Sequence, residues 1–531
     1  MLKEGDESMF AKEVKEIFPW DPKTISSSNP AKLSNFLNGQ WIESKKYKEI
    51  INPLSGEPFV LMPDTSEEEL TPFIESLSQC PTHGLHNPLK NVERYVMYGR
   101  ICAEAAMFLK SSTGRDYFAR LIQIVMPKDM GQCYAEVDIV VPFLRNFSGD
   151  GVRFLAKGQT TPGDRLGQES IDYRWPYGPV AVITPFNFPL EIMALQLMGA
   201  LFMGNKPIIK QSSTTSIVIE AFVRLLLHCG MPKDDMLLIH CSGSVMEKLV
   251  ASPIVRLTQF TGGSDTAHKL LELTGGRCRI EDAGFDWKLM GPNVIPSMVD
   301  FVAMTCDRDA YAASGQKCSA QSMLIVHENW IKTGLLEKIK DLAAKRNLKD
   351  LTIGPVLSWD NQRIQKHIDE LLRIDGAKLL FGGKPLSGHS IPPCYGAFEP
   401  TAIFVPLSQI SSNFKTVATE LFGPLQIITT WDPQDDLELI LKIFEKLENR
   451  LTAAVVDNDP DFLNYVLGRT TNGTTYAGIK ARTTAAPQNH FFGPTGHPAC
   501  AGIGPPEAII NVWSQNRTIV MDTDSEKYNS S

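Results

Sequence analysis

The chain has 531 residues and a mass of 58.9 kDa, which is more than one ordinary domain contains and predicts roughly three or four structural units. Its apolar fraction of 43% and charged fraction of 21% are typical of a folded protein and exclude a mainly disordered chain. The 52 basic and 60 acidic residues give a net charge of −8, which excludes general binding to nucleic-acid phosphates.

Residues 1–30 are predicted to be an N-terminal extension, disordered at least in part. This segment carries six acidic residues and no arginine, whereas a mitochondrial transit peptide is rich in arginine and poor in acids. It also lacks the apolar core of a secretory leader. The residues of this extension therefore predict neither mitochondrial import nor secretion.

From Tyr177 onward, short apolar runs that favour strands alternate with segments of helical periodicity. The predicted strands are Val180–Ile183, Pro207–Lys210, Met236–His240 and Val255–Phe260. The predicted helices are Leu190–Met203 with Pro189 in its first turn, a helix capped by Ser212 or Ser213 and ended by Gly230, a short helix opened by Ser244, and Ser264–Thr274. Because such alternation requires crossover connections, we expect a doubly wound parallel sheet.

In a doubly wound sheet, ligands bind beyond the carboxyl ends of the strands. The loops Thr184–Pro189, Lys210–Ser213 and Thr261–Ser264 each follow a predicted strand. These three loops are therefore expected to lie together at one ligand-binding rim.

The longest nearly apolar stretch lies between Glu191 and Asn205 and is interrupted by Gln196. It is shorter than the ~20 residues that span a bilayer. We interpret it as a buried helix and expect no membrane partner.

A second run of alternating elements starts after about residue 297. Asp300–Ser314 and Trp330–Lys345 have helical periodicity, Met323–Val326 has strand character, and the alternation continues to about Val456. This pattern predicts a second α/β domain.

The segment Phe260–Ser264 runs from a predicted strand through Gly262 and Gly263 into a predicted helix. Glycine lets a ligand approach the backbone, and a helix N-terminus offers free N–H groups and a positive dipole end to a pyrophosphate. Such pairs are most often simple turns, and the dinucleotide fingerprint G-x-G-x-x-G is absent. The two glycines are therefore either phosphate-binding residues or plain turn residues.

Ten cysteines are spread along the chain without a C-x-x-C pair or the Cys/His spacing of a zinc site, so no metal is expected. Cys318 differs from the others because it lies in a polar, glycine-containing loop, Ser314–Ala320. A thiolate there can act as a nucleophile, and the adjacent Lys317 is expected to lower the pKa of the thiol. The alternative is that Cys318 is only a small buried apolar residue.

Glu281 and Asp282 are adjacent carboxylates in a segment that we interpret as extended. Neighbouring side chains of a strand point to opposite faces, so only one of the two can face a given site. That residue is either a general base or part of a solvent-facing strand end.

Four segments resemble signature segments of the NAD(P)-dependent aldehyde dehydrogenases and occur in the order of that family: Thr184–Pro189, Phe260–Gly263, Gly315–Ser319 and Glu420–Pro424. Four more segments resemble the plant-type Δ1-pyrroline-5-carboxylate dehydrogenases of this family: Tyr173–Pro179, Glu281–Lys288, Asn472–Gly478 and Ala486–Gly493. The closer resemblance runs from about residue 36 to about residue 520. It implies NAD-dependent oxidation of L-glutamate γ-semialdehyde to L-glutamate in proline catabolism, with NADP as a weaker cofactor.

The resemblance also implies catalytic roles. Cys318 would attack the aldehyde, the Asn187 amide and the Cys318 N–H would hold the oxyanion, and Glu281 would activate water, with Asp282 as the rival base. The implied substrate-binding residues are Phe188 and Ser319. The implied cofactor-binding residues are Thr184, Pro185, Phe186, Lys210, Ser213, Gly262, Gly263, Glu420 and Phe422.

The family layout implies an α/β fold with a Rossmann-like cofactor domain at residues 31–157 and 177–283. A catalytic α/β domain would follow at residues 284–490. A small β element at residues 158–176 and 505–523 would join the chain into a homo-oligomer. The plant-type members work in the mitochondrial matrix, so we expect that compartment, or the cytosol if this N-terminus is native and complete.

Three alternatives remain open at this point. The same chemistry could act on another aldehyde, or the scaffold could be an inactive binding or structural protein. A thiol hydrolase without a cofactor is the third, and it requires a histidine beside Cys318.

Overall fold

The computed structural model describes residues 12, 14–282, 284–432, 434, 437–448, 450–484 and 490–522. The strands, numbered in chain order, are β1 (Ala31–Lys32), β2 (Asn35–Leu37), β3 (Gln40–Ile42), β4 (Tyr47–Ile51), β5 (Pro58–Pro63), β6 (Gln159–Pro162), β7 (Gln168–Trp175), β8 (Pro179–Thr184), β9 (Lys206–Gln211), β10 (Leu237–Leu238), β11 (Leu257–Thr261), β12 (Cys278–Glu281), β13 (Asp286–Met290), β14 (Gln321–His327), β15 (Lys378–Phe381), β16 (Thr401–Phe404), β17 (Leu425–Trp431), β18 (Thr452–Val456), β19 (Thr474–Ala477) and β20 (Gln515–Asp522). The α-helices are α1 (Thr71–Ser78), α2 (Glu93–Lys110), α3 (Ser112–Val125), α4 (Met130–Asn146), α5 (Glu191–Phe202), α6 (Ser216–His228), α7 (Gly243–Ala251), α8 (Ser264–Leu273), α9 (Val299–Tyr311), α10 (Glu328–Ile331), α11 (Leu335–Ala343), α12 (Asn361–Leu372), α13 (Leu407–Ile410), α14 (Phe414–Val417), α15 (Leu437–Glu445), α16 (Pro460–Leu467) and α17 (Pro506–Trp513). The expected extension 1–30, the segment Ala486–Gly493 and the element 505–523 lie partly outside these residues.

The first large sheet has seven strands in the order β12-β11-β8-β9-β10-β2-β3. Strands β12 to β10 pair in parallel, and helices α5 to α8 connect them, which confirms the predicted parallel sheet. At the edge of the sheet opposite β12, β2 pairs antiparallel with β10, and β3 pairs antiparallel with β2. The third predicted strand is shorter than expected, because only Leu237 and Leu238 pair with β9.

The helix starts differ from the sequence prediction in their details. Pro189 lies in the turn before α5, which begins at Glu191. Ser213 opens a short 3₁₀ turn, and α6 begins only at Ser216. Helix α7 is capped by Ser242 rather than opened by Ser244, because the Ser242 side chain accepts a hydrogen bond from a backbone N–H inside the helix.

Helix α5 confirms the interpretation of the apolar stretch as a buried helix. All of its residues are buried, and its polar Gln196 accepts a hydrogen bond from the Trp513 indole at 3.2 Å. Trp513 ends α17, so this C-terminal helix packs into the core of the first domain, ahead of β20. In the part of the chain that the structure describes, no helix is both long and apolar enough to cross a bilayer.

The second large sheet has the order β15-β16-β17-β14-β13-β18-β19 and is parallel except for β15. It contains the predicted strand at Met323–Val326 and has its own apolar core. The helix predicted at Trp330–Lys345 is divided into α10 and α11. Its periodicity did not show this break, which comes at Gly334 in a left-handed conformation with φ of 76°.

A small third sheet has the order β20-β7-β6, and all of its pairs are antiparallel. It joins the expected hairpin near 158–176 to the expected C-terminal strand. Both outer strands are mostly exposed along their length. This sheet therefore presents two open edges in the described chain.

Candidate active site

The carboxyl ends of β8, β9, β11 and β12 lie at one edge of the first sheet, because these strands run in parallel register. The three loops predicted to form a rim follow β8, β9 and β11, so that prediction is confirmed. Glu281 is the last residue of β12 and pairs with Thr261, the last residue of β11, so it lies at the same edge of the sheet. The loop with Cys318 reaches this edge from the second domain.

The Cys318 loop is held in an unusual backbone conformation. Helix α9 ends at Tyr311, earlier than predicted, because Ala313, Ser314 and Gly315 have φ of 53°, 56° and 68°. The Ser314 hydroxyl stabilises this turn by donating to the carbonyl of Gly354 at 2.9 Å and accepting from its N–H at 2.8 Å. A Cβ at Gly315 would collide with the carbonyl of Gly423, so only glycine allows this close approach.

Cys318 and Glu281 form the centre of the site. The half-buried thiol is within hydrogen-bonding range of the Glu281 carboxyl, which is only 1% exposed. Burial raises the pKa of Glu281 to about 7, although the hydrogen bond with Cys318 opposes this shift. Glu281 Oε2 has no hydrogen-bond partner among the described residues, so one oxygen can accept a proton from water. A thiol beside a carboxyl group with a pKa near neutral pH has the chemistry of a nucleophile and a base.

The charges of Lys317 and Cys318 do interact, but this interaction does not give the thiol a lowered pKa. The Lys317 ammonium donates to the carbonyl of Arg308 at 2.8 Å. Burial raises the pKa of Cys318 well above its usual value, and nearby carboxylates, with Glu281 first among them, add to the shift. The resting thiol is therefore neutral and needs a base to become a nucleophile.

Asp282 lies in a different environment from Glu281. Its Oδ2 is 3.9 Å from Nε2 of His268 on α8, and its charge raises the pKa of Cys500. Glu281, in contrast, contacts Cys318. The opposite environments agree with the expectation that only one of the two carboxylates faces the thiol.

Asn187 is buried in the loop after β8 and is 2% exposed. Its backbone carbonyl accepts a hydrogen bond at 3.2 Å from the Lys128 ammonium, which is also paired with Glu136 at 2.6 Å. Its side-chain Oδ1 has no hydrogen-bond partner within the described residues. The side-chain amide is therefore held in place by the backbone while its polar atoms stay available to a ligand.

A cleft between the two domains brings further sequence candidates together. The rings of Phe186 and Phe422 face each other edge to face, with centroids 6.1 Å apart. Glu420 accepts a hydrogen bond from the backbone N–H of Gly284, and burial raises its pKa well above the usual value. Phe422 has a positive φ of 51°, and its carbonyl accepts a hydrogen bond from Ser358 at 3.1 Å.

The residues of this cleft fit a dinucleotide. The side chain of Lys210 has no hydrogen-bond or ion-pair partner among the residues described, and burial lowers the pKa of its ammonium. The buried hydroxyl of Thr184 is equally without a partner there. A Cβ added at Gly263, directly before α8, would meet open space. An unpaired cation, a free hydroxyl and an open helix N-terminus suit ribose hydroxyls and a pyrophosphate.

The other cofactor-binding candidates lie in the turns of the rim. Ser213 is half-buried in the turn after β9. Pro185 continues β8 into the rim. Gly262 donates its N–H to the carbonyl of Glu281 at 3.1 Å, and a side chain there would collide with Phe260. Gly262 therefore serves the turn itself.

A cavity of about 780 Å³ opens beside the thiol on the side of α4 and α5. Phe188, Ser319, Cys318 and Glu281 line it, so both substrate-binding candidates are brought to the nucleophile. No histidine is found among the described residues of its lining. This leaves the thiol without the partner that a thiol hydrolase requires. Within the described chain, no cluster of three metal-binding side chains was found.

Sequence reasoning missed two features of the site. Lys128 and Glu136 form a fully buried ion pair that positions Asn187, but they lie far from the signature segments. Glu191 also lines the cavity. The sequence already contained a signal for Glu191, because a carboxylate at the start of a nearly apolar helix is unusual.

These features define a cysteine-dependent oxidoreductase site between two α/β domains, and the sequence profile described as "Aldehyde dehydrogenase family" matches residues 41–496. The chain belongs to this family. Among its relatives, Delta-1-pyrroline-5-carboxylate dehydrogenase 12A1, mitochondrial, of Arabidopsis thaliana is 54% identical over 505 residues, which cover 94% of this chain and 90% of the relative.

Solved structures share the fold at lower identity. The betaine aldehyde dehydrogenase of Staphylococcus aureus in complex with NAD⁺ has a TM-score of 0.77 at 20% identity and covers 98% of this chain and 99% of its own. Aldehyde dehydrogenase 21 of Physcomitrella patens in complex with succinate has a TM-score of 0.78 at 17% identity and covers 94% of this chain and 100% of its own. These likenesses establish the aldehyde dehydrogenase fold.

Proposed function

We propose that this enzyme oxidises L-glutamate γ-semialdehyde, the open form of Δ1-pyrroline-5-carboxylate, to L-glutamate with NAD in proline catabolism. The observation that carries this proposal is the 54% identity with the Arabidopsis pyrroline-5-carboxylate dehydrogenase over nearly the whole chain. The charged lining of the cavity beside Cys318 supports it, because the substrate carries both an ammonium and a carboxylate group.

In the proposed mechanism, the Cys318 thiol loses its proton to solvent water, and the thiolate attacks the aldehyde carbon. The resulting oxyanion is held by the Asn187 amide and the Cys318 backbone N–H, and fixed donors of this kind stabilise the transition state strongly. When bound, NAD supplies the acceptor for the hydrogen and the two electrons that leave this carbon. Glu281 then takes a proton from a water molecule, and the resulting hydroxide attacks the thioester carbon. The C–S bond breaks, glutamate is released, and the proton on Glu281 returns to the Cys318 sulfur.

The cofactor is proposed to lie in the cleft between the two domains. Lys210 and Ser213 would bind the adenosine ribose, and Glu420 the nicotinamide ribose. The remaining proposed contacts to the cofactor are Thr184, Pro185, Phe186, Gly262, Gly263 and Phe422. Serine at position 213 would not repel a 2′-phosphate, so NADP is expected to be accepted as well. The weaker use of NADP rests on the resemblance to the plant-type Δ1-pyrroline-5-carboxylate dehydrogenases.

We further propose that the sheet β20-β7-β6 joins copies of the chain into a homo-oligomer. Unpaired strand edges favour pairing with another chain, and the side chains of Val520 and Leu166 are 53% and 77% exposed beside them. Residues 31–157 and 177–283 are assigned to the cofactor domain and 284–490 to the catalytic domain. The mitochondrial matrix is the proposed compartment, since the Arabidopsis relative is named as mitochondrial.

The experiment is a steady-state measurement of NADH formation with L-glutamate γ-semialdehyde and a panel of other aldehydes. We expect the highest kcat/KM for the semialdehyde of glutamate, and a higher value with NAD than with NADP. A higher kcat/KM for another aldehyde would assign the same chemistry to that substrate. Absence of turnover with every aldehyde would indicate a binding protein on this scaffold.

A further inference from the structure

Glu191 is a buried carboxyl group that the mechanism does not use. It begins α5, is 5% exposed and lines the cavity beside Cys318. Its side chain makes no hydrogen bond and no ion pair with any described residue, although its backbone N–H donates to Glu136 at 3.3 Å. A carboxyl group that has no partner in the protein and opens into a cavity is placed to bind a ligand with hydrogen-bond donors.

The charges around Glu191 show what that partner must be. Glu136 and Glu281 both raise the pKa of Glu191, which burial and these neighbours bring to about 8. Lys128 is the cation whose charge opposes this shift. Its ammonium is already committed to Glu136 at 2.6 Å and to the Asn187 carbonyl at 3.2 Å. The protein therefore supplies no cation of its own to the Glu191 carboxyl.

A cation with hydrogen-bond donors would relieve this arrangement, whereas a second carboxylate would be repelled. Glu191 also lies close enough to Cys318 to raise the pKa of the thiol, so a group only a short carbon chain away from the reacting aldehyde can reach it. The exposed side chains of Arg308 and Lys345 line the same cavity and offer positive charge to an anionic group.

We propose that Glu191 binds the α-ammonium group of the substrate and thereby selects an amino-acid aldehyde over the same aldehyde without an amino group. This inference rests on the proposed function and adds a specificity-determining residue to it. Glu191 takes no part in the covalent chemistry. Its contribution is to hold the amino end of the substrate while Cys318 and Glu281 act on the aldehyde end.

The test compares L-glutamate γ-semialdehyde with 5-oxopentanoate, which has the same chain and carboxylate but no amino group. In Glu191→Gln, we expect kcat/KM for the amino-acid aldehyde to fall roughly 10- to 100-fold, the range of one charge-assisted hydrogen bond. The value for 5-oxopentanoate should change less than about threefold. Glu191→Asp, which keeps the charge, should retain an intermediate preference. Glu104→Gln, the same change on an exposed helix face, should leave both values unaltered.

Equal losses with both aldehydes, or no loss with either, would overturn the role of Glu191. The proposed function itself would be contradicted if the wild-type enzyme used L-glutamate γ-semialdehyde no better than 5-oxopentanoate. The activity of Glu191→Gln toward 5-oxopentanoate also reports whether the variant is folded. The failure of the inference and the failure of the proposed function are thus separated by the wild-type measurement.

A measurement on the wild-type enzyme alone provides a second test. L-glutamate and glutarate differ only in the ammonium group, and both should inhibit in competition with the aldehyde. Between pH 6.5 and 8.5, inhibition by L-glutamate should strengthen relative to glutarate, because Glu191 ionises over this range. Glu136, Lys128 and Glu281 face Glu191, and Lys317, whose pKa burial lowers to about 8, lines the same cavity. Because Glu281 also gains charge in this range, the ratio is measured in Glu191→Gln as well, where its change with pH should become much smaller. A ratio that does not change with pH would contradict the proposal.

Discussion

Replacing Glu281 by glutamine should separate the two halves of the reaction. The carboxyl of Glu281 has one unpartnered oxygen and a pKa of about 7, so it can accept a proton from water at neutral pH. Glutamine has nearly the same shape but accepts no proton. Loss of a general base lowers a rate roughly 10²- to 10⁴-fold, so thioester hydrolysis should become the slow step. Stopped-flow absorbance should show a burst of about one NADH per active site, followed by a slow steady rate. Acylation stays fast because the charge of Glu281 raises the pKa of the Cys318 thiol, so its removal does not make the thiol harder to ionise.

The pH dependence of the wild-type steady state tests the same assignment. A carboxyl whose pKa is raised to about 7 is a base above that pH, and about one-tenth of it is ionised at pH 6. Where hydrolysis limits turnover, kcat at pH 6 should therefore be about one-tenth of its plateau value. In Glu281→Gln, this rise near pH 7 should be lost.

The matched control is Asp282→Asn, which changes the neighbouring carboxylate. Asp282 lies next to His268 rather than the thiol, so this variant should lose stability or nothing and should show no burst. A burst in Asp282→Asn with wild-type behaviour in Glu281→Gln would mean that the two roles are reversed. A linear, wild-type time course in both variants would refute the assignment of the base to this segment.

Three further predictions concern the nucleophile, the oxyanion site and the cofactor. Cys318→Ala should reduce turnover below a few per cent, while quenching of protein fluorescence shows that NAD still binds; substantial residual kcat would assign the nucleophile elsewhere. Asn187→Ala should lower kcat roughly 10²- to 10³-fold rather than mainly raise KM, because its amide acts on the developing oxyanion. Ser213→Glu should reduce kcat/KM with NADP more than with NAD, since a carboxylate repels the 2′-phosphate; equal losses would show that Ser213 does not face the ribose.

Much of the fold could be predicted because its signals are local. The strands β8, β9, β11 and β14 appear as short apolar runs, and the turns after them carry the polar and glycine residues of the rim. Helix starts and ends were less predictable, because they depend on which side chain caps the backbone. Gly334 breaks a periodic segment into two helices without changing its apolar pattern.

The sequence alone identified Cys318, Asn187 and the Glu281–Asp282 pair as candidates for the chemistry. It also showed that only one of the two adjacent carboxylates could face a site, since this follows from the geometry of an extended chain. The direction of Lys317 was not predictable, because it depends on the carbonyl of Arg308, which lies nine residues earlier in the chain.

The tertiary structure decided which groups meet and what their environment does to their protons. It places the half-buried Cys318 against the buried Glu281, and burial is the largest cause of the raised pKa of the thiol and of the carboxyl. It also turns Glu191, the one acidic residue of an otherwise nearly apolar helix, into the lining of the substrate cavity. Local patterns determine strands and turns because those depend on nearby residues, whereas charge states depend on atoms that only the folded chain brings together.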